Sequence, residues 1–189
     1  MPWRHASSSR NASAAAKEFE RLIRPHVPVF YRSAYRWTGD TGKAEDLVQE
    51  LLVRLFPKLA ELRTIDQVRP WAMRVMYRIF VDQVRREQSS PVTFGHQPSA
   101  DEEDSAEFSL ADPQGDAASI VERQLTQERI LSVWGNLPEE HRVVLSMHDI
   151  EGYSLVDISQ ITDTPLGTLK SRLHRGRAKL RELLGSSER

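Results

Sequence analysis

The 189-residue chain contains no cysteine, which excludes disulfides, thiol redox sensing and any zinc site built on thiolates. It also lacks any apolar run approaching the roughly 18 residues of a membrane span, and its first ten residues have no apolar leader core. No membrane insertion is therefore expected, and the expected location is the cytoplasm. Nothing in the sequence reads as a long β-strand, so the expected fold class is all-α. Finally, the chain has no excess of positive charge. Its 26 Lys and Arg stand against 27 Asp and Glu, for a formal net charge of −1, an unpromising balance for a nucleic-acid binder until it is divided along the chain.

The division is uneven. Residues 87 to 119 hold eight acids (Glu87, Asp101, Glu102, Glu103, Asp104, Glu107, Asp112, Asp116) and no Lys or Arg, which leaves +7 on the remainder. The same stretch carries Pro91, Pro98, Pro113, Gly95 and Gly115 without a helical or strand period, so 87–118 reads as a flexible acidic linker. It joins two small helical domains, 17–86 and 119–185. The Ala- and Ser-rich residues 1–16 read as a disordered extension.

The C-terminal domain carries the strongest local signal. Ser154 with Asp157 forms an [ST]-x-x-[DE] helix start, and Thr164-Pro165 supplies a cap and first-turn proline for a second helix. At about 100° per residue, Leu166, Leu169, Leu173, Leu180 and Leu184 share one stripe, opposite Thr168, Ser171, Arg172, Arg175 and Lys179. Six cations (Lys170, Arg172, Arg175, Arg177, Lys179, Arg181) and no acid lie between Pro165 and Arg181. This is the pattern of a helix-turn-helix whose second helix enters a DNA major groove, where arginine forks match guanine edges. Upstream, Ser119 with Glu122 opens a helix carrying Ile120, Val121, Leu125, Leu131 and Trp134. Another starts at Leu137-Pro-Glu-Glu, with Val143, Val144, Leu145 and Met147 as its core and Gly152 permitting the following turn.

In the first domain, a helix from Ala44 to about Phe56 spreads Leu47, Val48, Leu51, Leu52, Leu55 and Phe56 over half its circumference, with Asp46, Gln49 and Glu50 on the other half. Pro57 should end or kink it. The next helix, Pro70 to Arg86, buries Ala72, Val75, Met76, Ile79 and Gln83 on one side. Arg74, Arg78 and Arg85 fall within about 40° of one another on a different side. Trp71 and Tyr77 border this basic stripe, where aromatic rings can hold unstacked bases. For either ring, a place in the core is the competing expectation.

These residues together resemble the extracytoplasmic-function sigma factors of the sigma-70-like family. The resemblance runs from Phe19 to Leu184. It rests on Trp37–Asp40, Ala44–Glu50, Arg69–Ala72 and Asp82–Arg86 in the first domain, and on Leu137–Leu145, Gly152–Ser154 and Gly167–Arg177 in the second. The resemblance implies a non-enzymatic specificity subunit that binds core RNA polymerase through its β and β′ subunits and directs promoter-specific initiation. Asp46, Gln49 and Glu50 would dock on the polymerase, with Leu47 lending apolar contact. Arg69, Trp71, Arg74, Tyr77, Arg78 and Arg85 would hold the −10 element as a single strand and aid strand opening. Thr168, Lys170, Ser171, Arg172, His174, Arg175, Arg177 and Lys179 would read the −35 element. The resemblance further implies an anti-sigma factor as partner and nucleoid association when bound to polymerase. No cofactor or metal is expected.

Three positions depart from the family pattern. Asp163 stands where the turn usually has glycine, Ser159 where the first helix usually has alanine, and Pro57 interrupts its helix. The alternative reading is a stand-alone helix-turn-helix regulator, which accounts for the C-terminal domain but leaves the Asp46, Gln49, Glu50 face and the arginine stripe unassigned. An enzymatic reading has only the His148-Asp149 pair, without supporting ligands.

Overall fold

The computed structural model describes residues 5–89, 129–130 and 132–186, residues 5–12 by backbone alone. The first module comprises α1 (His5–Ile23), a 3-10 turn (Arg24–His26), α2 (Val27–Thr38), α3 (Thr41–Leu55), a second 3-10 turn (Phe56–Lys58), α4 (Leu59–Leu62) and α5 (Val68–Ser89). The second module comprises helical residues at 129–130 and 132–134 and α6 (Glu139–Leu145), which continues through a π turn (Ser146–Ile150). It ends with α7 (Leu155–Thr162) and α8 (Leu166–Ser186). Among the described residues there is no strand.

Local chemistry fixes the helix boundaries. Gly39 stops α2 in the left-handed conformation (φ 71°), its N–H donating to the Tyr35 carbonyl at 2.8 Å. Asp40 then caps α3, accepting from the Lys43 N–H at 2.8 Å, a contact worth about 1 kcal/mol. Pro57 breaks α3 into the 3-10 turn as its missing donor requires. Ser154 and Asp157 close a reciprocal capping box at the start of α7. Asp163 takes the left-handed turn (φ 54°), and the Ser159 hydroxyl donates to the Thr164 carbonyl at 2.7 Å. The departures at Asp163 and Ser159 are thus accommodated locally. Thr164 does not cap α8 with its side chain. Its hydroxyl turns back to the Thr162 carbonyl at 3.3 Å, and α8 begins at Leu166 behind Pro165.

Each module has an apolar centre. Phe30, Ala34, Trp37, Leu47, Leu51, Leu55, Met73 and Met76 are fully buried in the first; Val144, Leu145, Met147, Ile158 and Leu169 are nearly so in the second. Truncating a leucine such as Leu51 to alanine should cost about 2–5 kcal/mol. The α5 stripe differs from expectation: Met73 and Phe80 are buried, while Val75 and Gln83 are only part-covered. Phe56 and Leu166, expected in the core, are 43% and 41% exposed. Phe56 ends α3, beyond the core, and meets Phe19 of α1 edge-on at 5.3 Å; Leu166 opens α8 ahead of its packed turns.

The extension expected to be disordered is helical from His5 onward. Ala6, Ala12, Ala14, Ala15 and Ala16 are the strongest helix formers and outweigh the intervening serines. Residues 87–89, expected in the linker, complete α5, where Glu87 pairs with Lys43 at 2.8 Å. The rest of the acidic stretch, 90–118, and the helix start at Ser119 lie outside the described residues.

The two modules pack against each other, α2 on α6 and α5 on α7. A helix leaves its last carbonyls without internal partners, and those of α2 are taken by the second module. The Trp134 indole N–H donates to the Arg36 carbonyl at 2.8 Å. Arg142 donates to the Trp37 carbonyl (3.1 Å), the Thr38 carbonyl (3.4 Å) and the Gly135 carbonyl (3.0 Å). Each such bond exchanges with water on separation and contributes about 0.5–1.5 kcal/mol, somewhat more from a charged donor.

Candidate nucleic-acid interface

On α3, Asp46 and Gln49 are exposed, and Glu50 is half-exposed with Arg54 Nε at 2.7 Å. They line a groove of about 380 Å³ against Asp82, Gln83 and Arg86 of α5. Leu47 does not belong to this face. It is fully buried, so the apolar contact assigned to it is corrected: the available apolar side chain is Val53, 68% exposed inside the same groove. The periodicity carries that signal, since Val53 falls about 20° from Asp46 around the helix and Leu47 about 100° away, toward the core.

Arg74, Arg78 and Arg85 stand exposed along α5, and among the described residues none has an acidic partner. Trp71 is half-buried against the core with the Lys58 ammonium 5.4 Å from its ring centre. Tyr77 is turned inward. It meets Trp37 edge-on at 6.0 Å and Phe80 at 6.4 Å, and is part-buried with its phenol beside Thr164 and Arg172 of the second module. Burial raises the pKa of its phenol, with Arg172 of the other module acting in the opposite direction. Arg69 also faces the second module: its guanidinium lies 5.2 Å over the Tyr153 ring and its Nη2 3.6 Å from Glu151 Oε2.

The eight α8 residues divide. Lys170, Ser171, His174 and Arg175 are exposed, with Arg175 Nη2 donating to the Ser171 hydroxyl at 3.3 Å. Thr168 is half-covered and its carbonyl accepts from Ser171 Oγ at 2.8 Å. Arg172 pairs with Glu140 at 2.7 Å, Arg177 with both Asp149 oxygens, and Lys179 with Glu182 at 2.9 Å. Such partly exposed pairs contribute about 0–1 kcal/mol each, little for stability but enough to orient a side chain. The His148-Asp149 pair is occupied structurally: His148 Nδ1 donates to the Tyr153 carbonyl at 2.9 Å, and Asp149 holds Arg177. Among the described residues no three His, Cys, Asp or Glu gather as metal ligands.

One charged cluster escaped the sequence reading because its members lie more than a hundred residues apart. The Glu151 side chain is 4% exposed between the modules. Its Oε1 lies 2.9 Å from the hydroxyls of Ser33 (α2) and Ser146, and 3.6 Å from Arg36 Nη1. The single Ser33 proton can also reach the Val29 carbonyl at 2.9 Å; the charged acceptor is the stronger one. Burial lowers the Arg36 pKa, Glu151 raises it, and Arg32 and Arg69 act with burial.

Two helical modules, the second a helix-turn-helix with an exposed cationic first half, define a DNA-binding protein of the helix-turn-helix class. Sigma-70 region 2 matches residues 22–90 and Sigma-70 region 4 matches residues 127–180. The ECF RNA polymerase sigma factor SigL of Mycobacterium tuberculosis is 31% identical over 170 residues, covering 89% of this chain and 90% of that protein. SigW of Bacillus subtilis is 29% identical, covering 88% of each. SigE of Mycolicibacterium smegmatis is 30% identical over 90% of this chain, which spans 63% of that relative's length. A solved structure, the sigma factor RpoE of Bartonella quintana in complex with the anti-sigma factor NepR, shares the fold with a TM-score of 0.66. It is 23% identical, with 89% of this chain and 98% of that one covered. The chain belongs to the extracytoplasmic-function (ECF) RNA polymerase sigma factors, which are transcription initiation factors rather than enzymes. Among the described residues no helix is long and apolar enough to cross a membrane.

Proposed function

We propose that this chain binds core RNA polymerase through the α3–α5 groove and directs initiation by reading two promoter elements, one with each module. The observation that carries this reading is the presence, in one chain, of two separate exposed cationic faces beside an acidic-polar groove that neither face needs. Arg74, Arg78 and Arg85 would follow a −10 single strand, with Trp71 at its margin and Arg69 joining once freed from Glu151. The exposed first half of α8 (Lys170, Ser171, His174, Arg175), with Thr168 and Arg172, would enter the −35 major groove, while Arg177 and Lys179 lie toward the phosphates. The docking residues on the polymerase side would be Asp46, Gln49 and Glu50, with Val53 as the apolar contact, and the β and β′ subunits as partners. Strand opening needs no covalent chemistry from the chain, because holding unpaired bases offsets the few kcal/mol of unstacking. An anti-sigma protein covering both modules, and nucleoid association of the polymerase-bound form in a cytoplasmic setting, extend the same reading.

The experiment is run-off transcription with core polymerase on a genomic fragment library, sequencing the RNA 5′ ends. New starts sharing spaced −35 and −10 elements are expected, and Val53→Asp should reduce them while leaving the helical signal intact. Absence of new starts, with no co-purification with core, would favour a stand-alone regulator.

A further inference from the structure

We propose that Glu151 is the pin of an intramolecular latch that holds the two modules together and withholds part of the DNA-contact surface until it opens. The inference goes beyond the sigma reading and uses it only to say what is withheld. One carboxylate gathers groups from both modules: Ser33, Arg36 and Arg69 from the first, Ser146 from the second. Arg69 is drawn onto Glu151 and Tyr153, on the flank of α5 that α7 covers. Arg172, paired with Glu140 within its own module, lies close enough to Tyr77 of the first to act on its phenol, so the contact covers it as well. The bare arginines of α5 remain outside, so the closed arrangement hides the edges of the two cationic faces and leaves their middles exposed.

Apolar packing is continuous across the modules, but the polar part of the contact is weakly fastened. A buried carboxylate with two guanidinium neighbours has lost more hydration than its attraction returns unless every lone pair is hydrogen-bonded, and Glu151 Oε2 has no hydrogen-bond partner among the described residues. The pin thus specifies how the modules meet more than it fastens them. Bonds from Trp134 and Arg142 to the end carbonyls of α2 also cross the contact, and water can satisfy those carbonyls equally well after separation. Between Ser89 and Arg129 lie 39 residues of chain.

The absence of native cysteine makes the test direct. Exposed Glu45 of α3 and Gln160 of α7 are replaced by cysteine in the full chain, spin-labelled, and their separation is measured by pulsed electron resonance. The measurement is made on the parent and on two variants that attack the pin from opposite sides, Glu151→Ala and Ser33→Asp; the latter sets a second carboxylate against Glu151. Circular dichroism confirms that each variant is folded. Affinity for a fluorescent oligothymidine at low salt is read in parallel. The expected result is a short, narrow distance in the parent, a longer and broader one in both variants, and about fivefold or greater tightening on the oligothymidine as the covered arginines are released. Unchanged distances in both variants would overturn the latch, and longer distances without tightening would overturn the claim that it withholds DNA contacts. Because neither readout requires polymerase, failure of transcription initiation would leave the result standing.

Discussion

The two long basic helices, α5 and α8, are nearly equal in length and both carry arginines at helical spacing, yet the middle of α5 and the second half of α8 dispose of their charge differently. Arg74, Arg78 and Arg85 of α5 have no acidic partner among the described residues, whereas Arg172, Arg177 and Lys179 of α8 are held by Glu140, Asp149 and Glu182. A bare stripe attracts phosphate strongly and indifferently. On α8 the acid-held Arg177 and Lys179 give up part of their attraction for phosphate, while Lys170 and Arg175 of the exposed first half stay free of acids among the described residues, on the face proposed to meet base edges.

The largest test removes the bare stripe. Replacing Arg74, Arg78 and Arg85 together by alanine should weaken single-strand binding by on the order of tenfold to a hundredfold at low salt. It should also reduce the slope of log K against log salt by about 2, close to 0.7 per cation. Replacing Arg177 and Lys179 should change the slope for duplex DNA by less than half as much per residue, because local acids already neutralise them; equal changes would erase the distinction. Next in size is Gly176→Val in α8. A Cβ built there would lie 3.1 Å from Leu145 Cδ1 and 3.2 Å from His141 Cβ, so thermal unfolding should show the second module destabilised by about 1–3 kcal/mol. A smaller effect is expected from Glu140→Gln, which unties Arg172: non-specific duplex affinity, read by fluorescence anisotropy, should rise by less than about fivefold.

The smallest effect concerns pH. Burial holds the His141 imidazole below its ordinary value, Glu140 opposes this, and Arg175 and Arg172 add to it. The folded state therefore favours the neutral ring. Its contribution to stability is fully present above the ordinary His value near 6.5 and declines as pH falls through the lowered folded value. His141→Gln should flatten the slope of melting temperature between neutral and mildly acidic pH, and an unaltered slope would place the dependence elsewhere.

How much of this was legible depends on the range of the interaction. Everything fixed within one helical turn could be read: the capping box at Ser154, the break at Pro57, the tolerance of Asp163 for a left-handed turn, the arginine stripe of α5. That Val53 is the exposed apolar side chain of the groove was readable too, but only by following the angle around α3 instead of choosing the neighbour in sequence, Leu47. Tyr77 was ambiguous because periodicity says which residues share a face, not what covers it, and here the cover is Trp37. The polar seam of Ser33, Arg36, Arg142 and Glu151 left no trace in any window, since its partners meet only once the modules dock.

The π turn at Ser146–Ile150 gives that seam an unusual sensitivity to chain length. The Glu151 N–H reaches back to the Ser146 carbonyl at 2.9 Å and the Tyr153 N–H to the Met147 carbonyl at 2.9 Å, so this helix end carries one residue more than a regular α turn would use. Phase, not composition, therefore aims Glu151 at Ser33. Removing one residue from the turn would rotate everything after it by about 100° and point the carboxylate elsewhere, with the α6 core intact. A single-codon deletion could thus uncouple the modules in one evolutionary step, with the sequence of α8 untouched.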